Sequence, residues 1–222
     1  MNKEIIPAIL VDSFEEFQKK IRKVEQRVNW VQLDVSDGDF APAFAWGDPV
    51  QIHDYDAGCF IEVHLMVQNP EKIIDDWLTG RSEEKDSGVQ RIYFHYESTD
   101  AHEEIVKRIK ESGKEVGIAI LPDTPISVLD DLLEKLDSVL IFSGNLGFYG
   151  GKFSDNEKTT IDKISTLRSN YPNLIIEVDG GMNPETAPKV VDVGANLIVS
   201  GGYIWKSKDA LSAIKNLEES IS

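Results

Sequence analysis

Three side chains in this chain have the types and positions to do chemistry together: Asp34, His64 and Asp179. Each ends a short run in which apolar and polar residues alternate. Gln32 and Asp34 alternate with Val31, Leu33 and Val35; Glu62 and His64 alternate with Ile61, Val63 and Leu65; Glu177 and Asp179 alternate with Ile176 and Val178. Period two marks a β-strand, whose successive side chains point to opposite faces. If the apolar series packs beneath helices, the polar series faces the other way, and a charge there is costly unless it is paired or used. Two carboxylates on separate strands can approach a carbon centre from opposite faces. One removes a proton and the other returns one, which inverts the centre. The same three residues could also hold one divalent cation (Zn, Mn, Fe or Co), with the Gln32 amide oxygen a weaker fourth ligand. A cation there would stabilise an enediolate beside a carbonyl. The spacing along the chain is not itself a metal motif; the reading rests on all three standing at strand ends. Glu62 and Glu177, one pair of residues deeper, read as a buried polar layer with no catalytic role.

The elements that must position these residues follow from the same periodicities. Strands are expected over 5–10, 30–35, 60–65, 91–95, 115–120, 138–142, 174–178 and 196–200. Helices are expected from the Ser13 and Glu16 capping box to about 28, from Asn69-Pro70 to about 78, and over 100–112. Further helices are expected from Thr124-Pro125 to about 136, over 156–171, from Asn183-Pro184 onward and from about 208. Residues 40–56 read as irregular with a short helix at Pro49, and 80–88 as a charged surface loop. About eight strand-then-helix units fit only a parallel sheet with helical crossovers, which closes. The fold class is therefore α/β, a single (β/α)8 TIM barrel over residues 1–222. Such barrels keep their chemistry at the C-terminal strand ends. The loops after the seventh and eighth strands open with Gly180-Gly181 and Gly201-Gly202. Glycines there let backbone N–H groups approach an anion beside a helix start, which makes all four candidate phosphate ligands. The aromatic loop over 143–152 is a candidate lid, and its Gly147 and Gly150 join the substrate- and phosphate-binding candidates.

Composition narrows the partners. The formal net charge of −16 argues against nucleic acid or an anionic membrane, both of which need basic surface. It leaves room for a phosphorylated substrate, because backbone amides can hold the phosphate. The single Cys59 excludes an internal disulfide and fits a reducing compartment. With no signal-peptide pattern and no apolar run near the ~18 residues of a membrane span, a cytoplasmic location is expected. Cys59 reads as a buried small residue rather than a nucleophile. His95 ends the fourth strand, where substrate contact and structural hydrogen bonding are both open; His53 and His102 read as surface residues. Trp30, Trp46, Trp77 and Trp205 read as packing, with Trp205 placed to narrow the phosphate end.

From Pro7 to about Asp209 the chain resembles the ribulose-phosphate 3-epimerase family. PAIL resembles the family's PSIL, and WVQLDVSDGDFAP its HVDVMDGHFVP. VHLM matches as it stands. GFYGGKF resembles GFGGQKF, EVDGGMNPETAP resembles EVDGGINPETAP, and SGGYIW resembles AGSAIF. The resemblance implies a phosphate-binding barrel that interconverts D-ribulose 5-phosphate and D-xylulose 5-phosphate by proton exchange at C3, with a divalent metal. By it, Asp34 and Asp179 are the acid/base pair, and Asp34, His64 and Asp179 are metal ligands. Gly180, Gly181, Gly201 and Gly202 surround the phosphate, and self-association into a homo-oligomer is expected. The departures cluster on the active face. Gln32 replaces a metal histidine, Ala8 a serine, Ser36 a methionine, Asp39 a histidine and Ala43 an asparagine. Leu146 replaces the proline of an NPG, and Leu121 the asparagine of an NPxTP. Both carboxylates are kept, which favours an enzyme over a catalytically impaired sugar-phosphate binder and leaves an epimerase of a different ketose phosphate as the alternative. A decarboxylase of the orotidine-monophosphate type needs a lysine two residues after the strand aspartate, where Ser36 stands.

Overall fold

The computed structural model describes residues 3–78, 88–148 and 152–222. Eight parallel strands form the barrel: Glu4–Ile9, Trp30–Asp37, Phe60–Met66, Gly88–His95, Glu115–Ile120, Ser138–Phe142, Ile175–Asp179 and Leu197–Ser200. The ring closes because the first strand pairs with both the second, Ala8 beside Gln32, and the eighth, Glu4 beside Leu197. The alternation works as expected. Val31, Leu33, Val35, Ile61, Val63, Leu65, Ile176 and Val178 are all buried and belong to one outer core with Phe17, Ile21 and Trp77 of the surrounding helices. The opposite faces fill the barrel. Ile6, Ala8, Leu197 and Val199 make one interior cluster, and Tyr93, Ala119, Leu140 and Phe142 another.

Register sets the heights of the polar side chains. Asp34 lies beside His64, Gln32 beside Glu62, and Asp179 beside Phe142. Asp34 and His64 are therefore neighbours, while Asp179 reaches them from the seventh strand, across the intervening first and eighth.

Several helices differ from expectation. The first covers only Phe14–Ile21, and the chain then tightens into turns, with Lys23 bonded to the Lys20 carbonyl and Arg27 to that of Val24. The segment after Pro125 is not α-helical but two 3-10 helices, Ile126–Leu129 and Leu133–Lys135. Its buried leucines, Leu129, Leu132, Leu133 and Leu136, follow the i, i+3, i+4, i+7 spacing of an α-helical face, so the pattern that suggested an α-helix is buried here by two 3-10 turns instead. The Asn69-Pro70 start is likewise a 3-10 turn, Pro70–Lys72, before the helix Ile74–Leu78. Asn183 does not start its helix directly. Its side chain accepts from the Glu185 and Thr186 N–H groups in a turn, and the helix runs Ala187–Asp192. A five-residue helix, Gly202–Lys206, precedes the last one, Ala210–Ser220. The expected helix at Pro49 is present as Pro49–Asp54, capped by Asp48. Before it, Phe44–Ala45 pairs antiparallel with the end of the second strand. Most of the expected loop over 80–88 lies outside the described residues, among which no helix is long and apolar enough to cross a membrane.

Candidate active site

The second strand ends in a fixed turn. Asp37 accepts from the Asp39 and Phe40 N–H groups through one oxygen and from the Gln68 N–H, at 2.7 Å, through the other. This ties the strand end to the loop after the third strand and holds Asp34 and His64 level. His64 Nδ1 lies 3.1 Å from Asp34 Oδ1 and 3.5 Å from Asp179 Oδ2. One ligand atom from each of the three residues lies within 4.8 Å of the others. The trio singled out by strand alternation therefore converges.

Gln32 joins it through the nitrogen end of its amide. Nε2 donates to Asp34 Oδ1 at 2.8 Å and to Asp179 Oδ2 at 2.9 Å, while the buried Oε1 has no hydrogen-bond partner among the described residues. The amide thus clamps the two carboxylates. An amide turned over would present Oε1 to the cluster instead, as a fourth ligand must. Two carboxylate oxygens and an imidazole are a donor set for a divalent cation, so the three-residue site fits one.

The protonation of this cluster is collective. Burial opposes a charge on His64, but hydrogen bonds to Asp179 and Asp34 outweigh it and lift its pKa to about 9. Burial raises Asp34, helped by the Asp179 charge and opposed by the bonds from His64 and Gln32. His95 moves the other way, to about 4, because burial and the His64 charge disfavour its cation.

Asp34 and Asp179 both open onto a cavity of about 470 Å³ at the C-terminal end of the barrel, a size suited to a small metabolite. Gly147, Gly180, Gly181, Gly201 and Gly202 line it too. Gly180 has φ +119°, and a Cβ there would lie 2.1 Å from the Gly144 nitrogen. The loops after the sixth and seventh strands meet backbone to backbone at this point, and only glycine fits. Ser143 Oγ reinforces the contact by donating to the Gly180 carbonyl at 2.7 Å. At Gly147, with φ +74°, an added Cβ would lie 3.3 Å from the Ala43 carbonyl oxygen and 3.4 Å from the Ala41 Cβ. Gly150 lies outside the described residues, as does part of the candidate lid.

Below the carboxylates, Glu62 and Glu177 form the structural layer expected of them. Arg91 Nη1 donates to Glu62 Oε2 at 2.8 Å, and Tyr93 Oη donates to Glu177 Oε2 at 2.9 Å. The Arg91 guanidinium lies 4.3 Å from the centre of the Trp30 ring. Sequence reasoning missed Arg91, although Arg91, Tyr93 and His95 alternate with Ile92 and Phe94 just as the other strands do. Lys206, the cavity's one cationic lining residue among those described, was missed because its helix was. His95 is buried against His64 rather than lining the cavity. His102 stacks on Tyr96, and the part-buried His53 lies 3.3 Å from the Asp76 carbonyl. Cys59 is buried, its thiol pKa pushed up to about 12.

Residues 4–205 match the sequence profile of the Ribulose-phosphate 3 epimerase family. The chain is 34% identical to the ribulose-phosphate 3-epimerase of Schizosaccharomyces pombe, over 98% of this chain and 93% of that protein. It is 30% identical to the one from Bacillus subtilis, over 98% and 99%. Among solved structures, 3-hexulose-6-phosphate synthase from Salmonella typhimurium superposes with a TM-score of 0.68 at 14% identity, covering 98% of each chain. Orotidine 5'-monophosphate decarboxylase from Sulfolobus solfataricus gives 0.64 at 10%, covering 99% and 98%. Those two likenesses establish the barrel fold alone.

Proposed function

The chain belongs to the ribulose-phosphate 3-epimerase family and is an isomerase of that family; from that premise we propose that it inverts C3 of a phosphorylated ketose, D-ribulose 5-phosphate to D-xylulose 5-phosphate. The observation that carries the proposal is the pair of carboxylates, Asp34 and Asp179, brought from the second and seventh strands to one glycine-lined cavity. One carboxylate takes the C3 proton, and the electron pair of the C–H bond moves toward the C2 carbonyl oxygen. The other gives a proton to the opposite face of C3. The roles exchange in the reverse direction, and each such group is worth ~10²–10⁴ in rate.

His64 and Gln32 hold the two carboxylates in register through the four contacts described above. Asp34, His64 and Asp179 would hold a divalent cation, which supplies stabilisation of the negative charge that develops on the substrate oxygens. Gly180, Gly181, Gly201 and Gly202 would present backbone amides to the phosphate, so that the reacting end lies over the carboxylates. A small phosphorylated sugar, no nucleic acid or membrane, a homo-oligomeric assembly and a cytoplasmic setting complete the proposal. The altered lining residue Ala8 supports a second reading, an epimerase of a different ketose phosphate.

The test is to incubate the protein with D-ribulose 5-phosphate, with and without Mn²⁺, Co²⁺, Zn²⁺ or Fe²⁺, and to follow D-xylulose 5-phosphate by NMR. Its appearance supports the proposal. Conversion of another ketose phosphate only would favour the second reading, and no conversion of any ketose phosphate would sink both.

A further inference from the structure

His64 has two ring nitrogens, and they face different groups. Nδ1 faces the aspartates, and Nε2 lies 2.9 Å from Nε2 of His95. Both rings are fully buried. Two ring nitrogens at that distance share one hydrogen, so one donates and the other accepts. An imidazole that offers its Nδ1 lone pair to a cation must carry its hydrogen on Nε2. His95 can accept that hydrogen only if its own sits on Nδ1. That atom lies 3.5 Å from Glu97 Oε2, and neither of the two has a hydrogen-bond partner among the described residues. Glu97 is anchored in turn, its Oε1 accepting from the Leu121 N–H at 2.8 Å. The His95 ring is held from two sides, with Phe40 at 5.1 Å and Phe142 edge-on at 5.7 Å between centroids.

We propose that His95, oriented by Glu97, is a positioning residue that fixes His64 with Nε2–H toward the barrel wall and Nδ1 toward Asp34 and Asp179. His95 does not line the cavity, so it acts through His64 rather than on substrate. Its consequence for a cation rests on the reading of Asp34, His64 and Asp179 as the metal-holding set. Its consequence for the imidazole pair does not.

The experiment has two arms. In the ¹⁵N-labelled unaltered protein without metal, through-hydrogen-bond coupling between the two Nε2 atoms should be detectable. Its absence would overturn the proposal whatever the protein's activity. In the second arm Co²⁺ is titrated and its visible absorption read. His95→Phe should weaken Co²⁺ binding by ~10–100-fold, the usual effect of losing such a partner. His95→Gln, whose amide oxygen can accept from Nε2–H, should recover most of that loss, which a purely space-filling role would not predict. Glu97→Gln should give a smaller loss. Co²⁺ affinity unchanged in His95→Phe, or equally low in His95→Gln, would overturn the proposal. Failure of the unaltered protein to bind Co²⁺ would instead sink the metal reading, and the coupling measurement would still decide the role of His95.

Discussion

Replacing Gln32 by histidine should strengthen metal binding, and the structure sets the size of the effect. Gln32 Nε2 gives hydrogen bonds of 2.8 and 2.9 Å to the carboxylate oxygens that a cation would need. Those donors and a cation compete for the same lone pairs. A hydrogen bond to a charged group is worth ~1.5–3 kcal/mol net, so breaking both costs about 3–6 kcal/mol. Turning the amide over returns part of this through Oε1, which has no other partner to lose among the described residues. If about half returns, ~1.5–3 kcal/mol separates glutamine from a side chain without that competing clamp, a factor of ~10–100 in affinity. Gln32→Leu removes the clamp without adding a ligand and isolates that part, and Gln32→His adds an imidazole donor as well. Calorimetric titration with Co²⁺ and Zn²⁺ should rank the affinities Gln32→His above the unaltered protein by at least ~10-fold. Equal or weaker binding by Gln32→His, in a variant that melts normally, would refute the competition argument.

Metal affinity should also depend steeply on pH. The metal-free His64 has its pKa lifted to about 9, so a cation at Nδ1 must displace a proton, and affinity should rise ~10-fold per pH unit until that value is passed; a flat profile in Co²⁺ titrations between pH 6 and 8 would contradict this. The same raised pKa stabilises the metal-free fold fully below the unfolded value near 6.5. That contribution fades as pH rises through about 9, so denaturant midpoints of the chelated protein should fall over this window. Gly180→Ala should lower the melting temperature and activity together, because the added Cβ meets the Gly144 backbone at φ +119°. Arg91→Met should destabilise by ~3–5 kcal/mol, since it leaves Glu62 without its 2.8 Å partner; an undiminished urea midpoint would show the polar layer to be dispensable.

Strand alternation made Asp34, His64 and Asp179 legible because period two is a local property, readable within five residues. The same rule placed Glu62 and Glu177 in a buried layer. It did not expose Arg91, because Tyr93 after it reads as apolar and hides the pattern, and it placed His95 at a strand end without deciding between substrate contact and structural hydrogen bonding. The direction of the Gln32 amide was out of reach, since it is set by two aspartates, one of them 147 residues away along the chain. The contact of His64 with His95 depends on how the third and fourth strands bring their inward side chains together, which no single segment encodes. The 3-10 turns after Pro125 were misread as an α-helix because Leu129, Leu132, Leu133 and Leu136 follow the i, i+3, i+4, i+7 spacing of an α-helical face.

The central claim is two-carboxylate proton transfer at C3. The most direct measurement is the conversion of D-ribulose 5-phosphate in D₂O, stopped early and analysed by NMR, for the unaltered protein, Asp34→Asn and Asp179→Asn. The account predicts product labelled with deuterium at C3, unconverted substrate still carrying protium, and a loss of ~10²–10⁴ in rate for each variant. Product that keeps its original C3 proton, or epimerisation that survives in either variant, would contradict it.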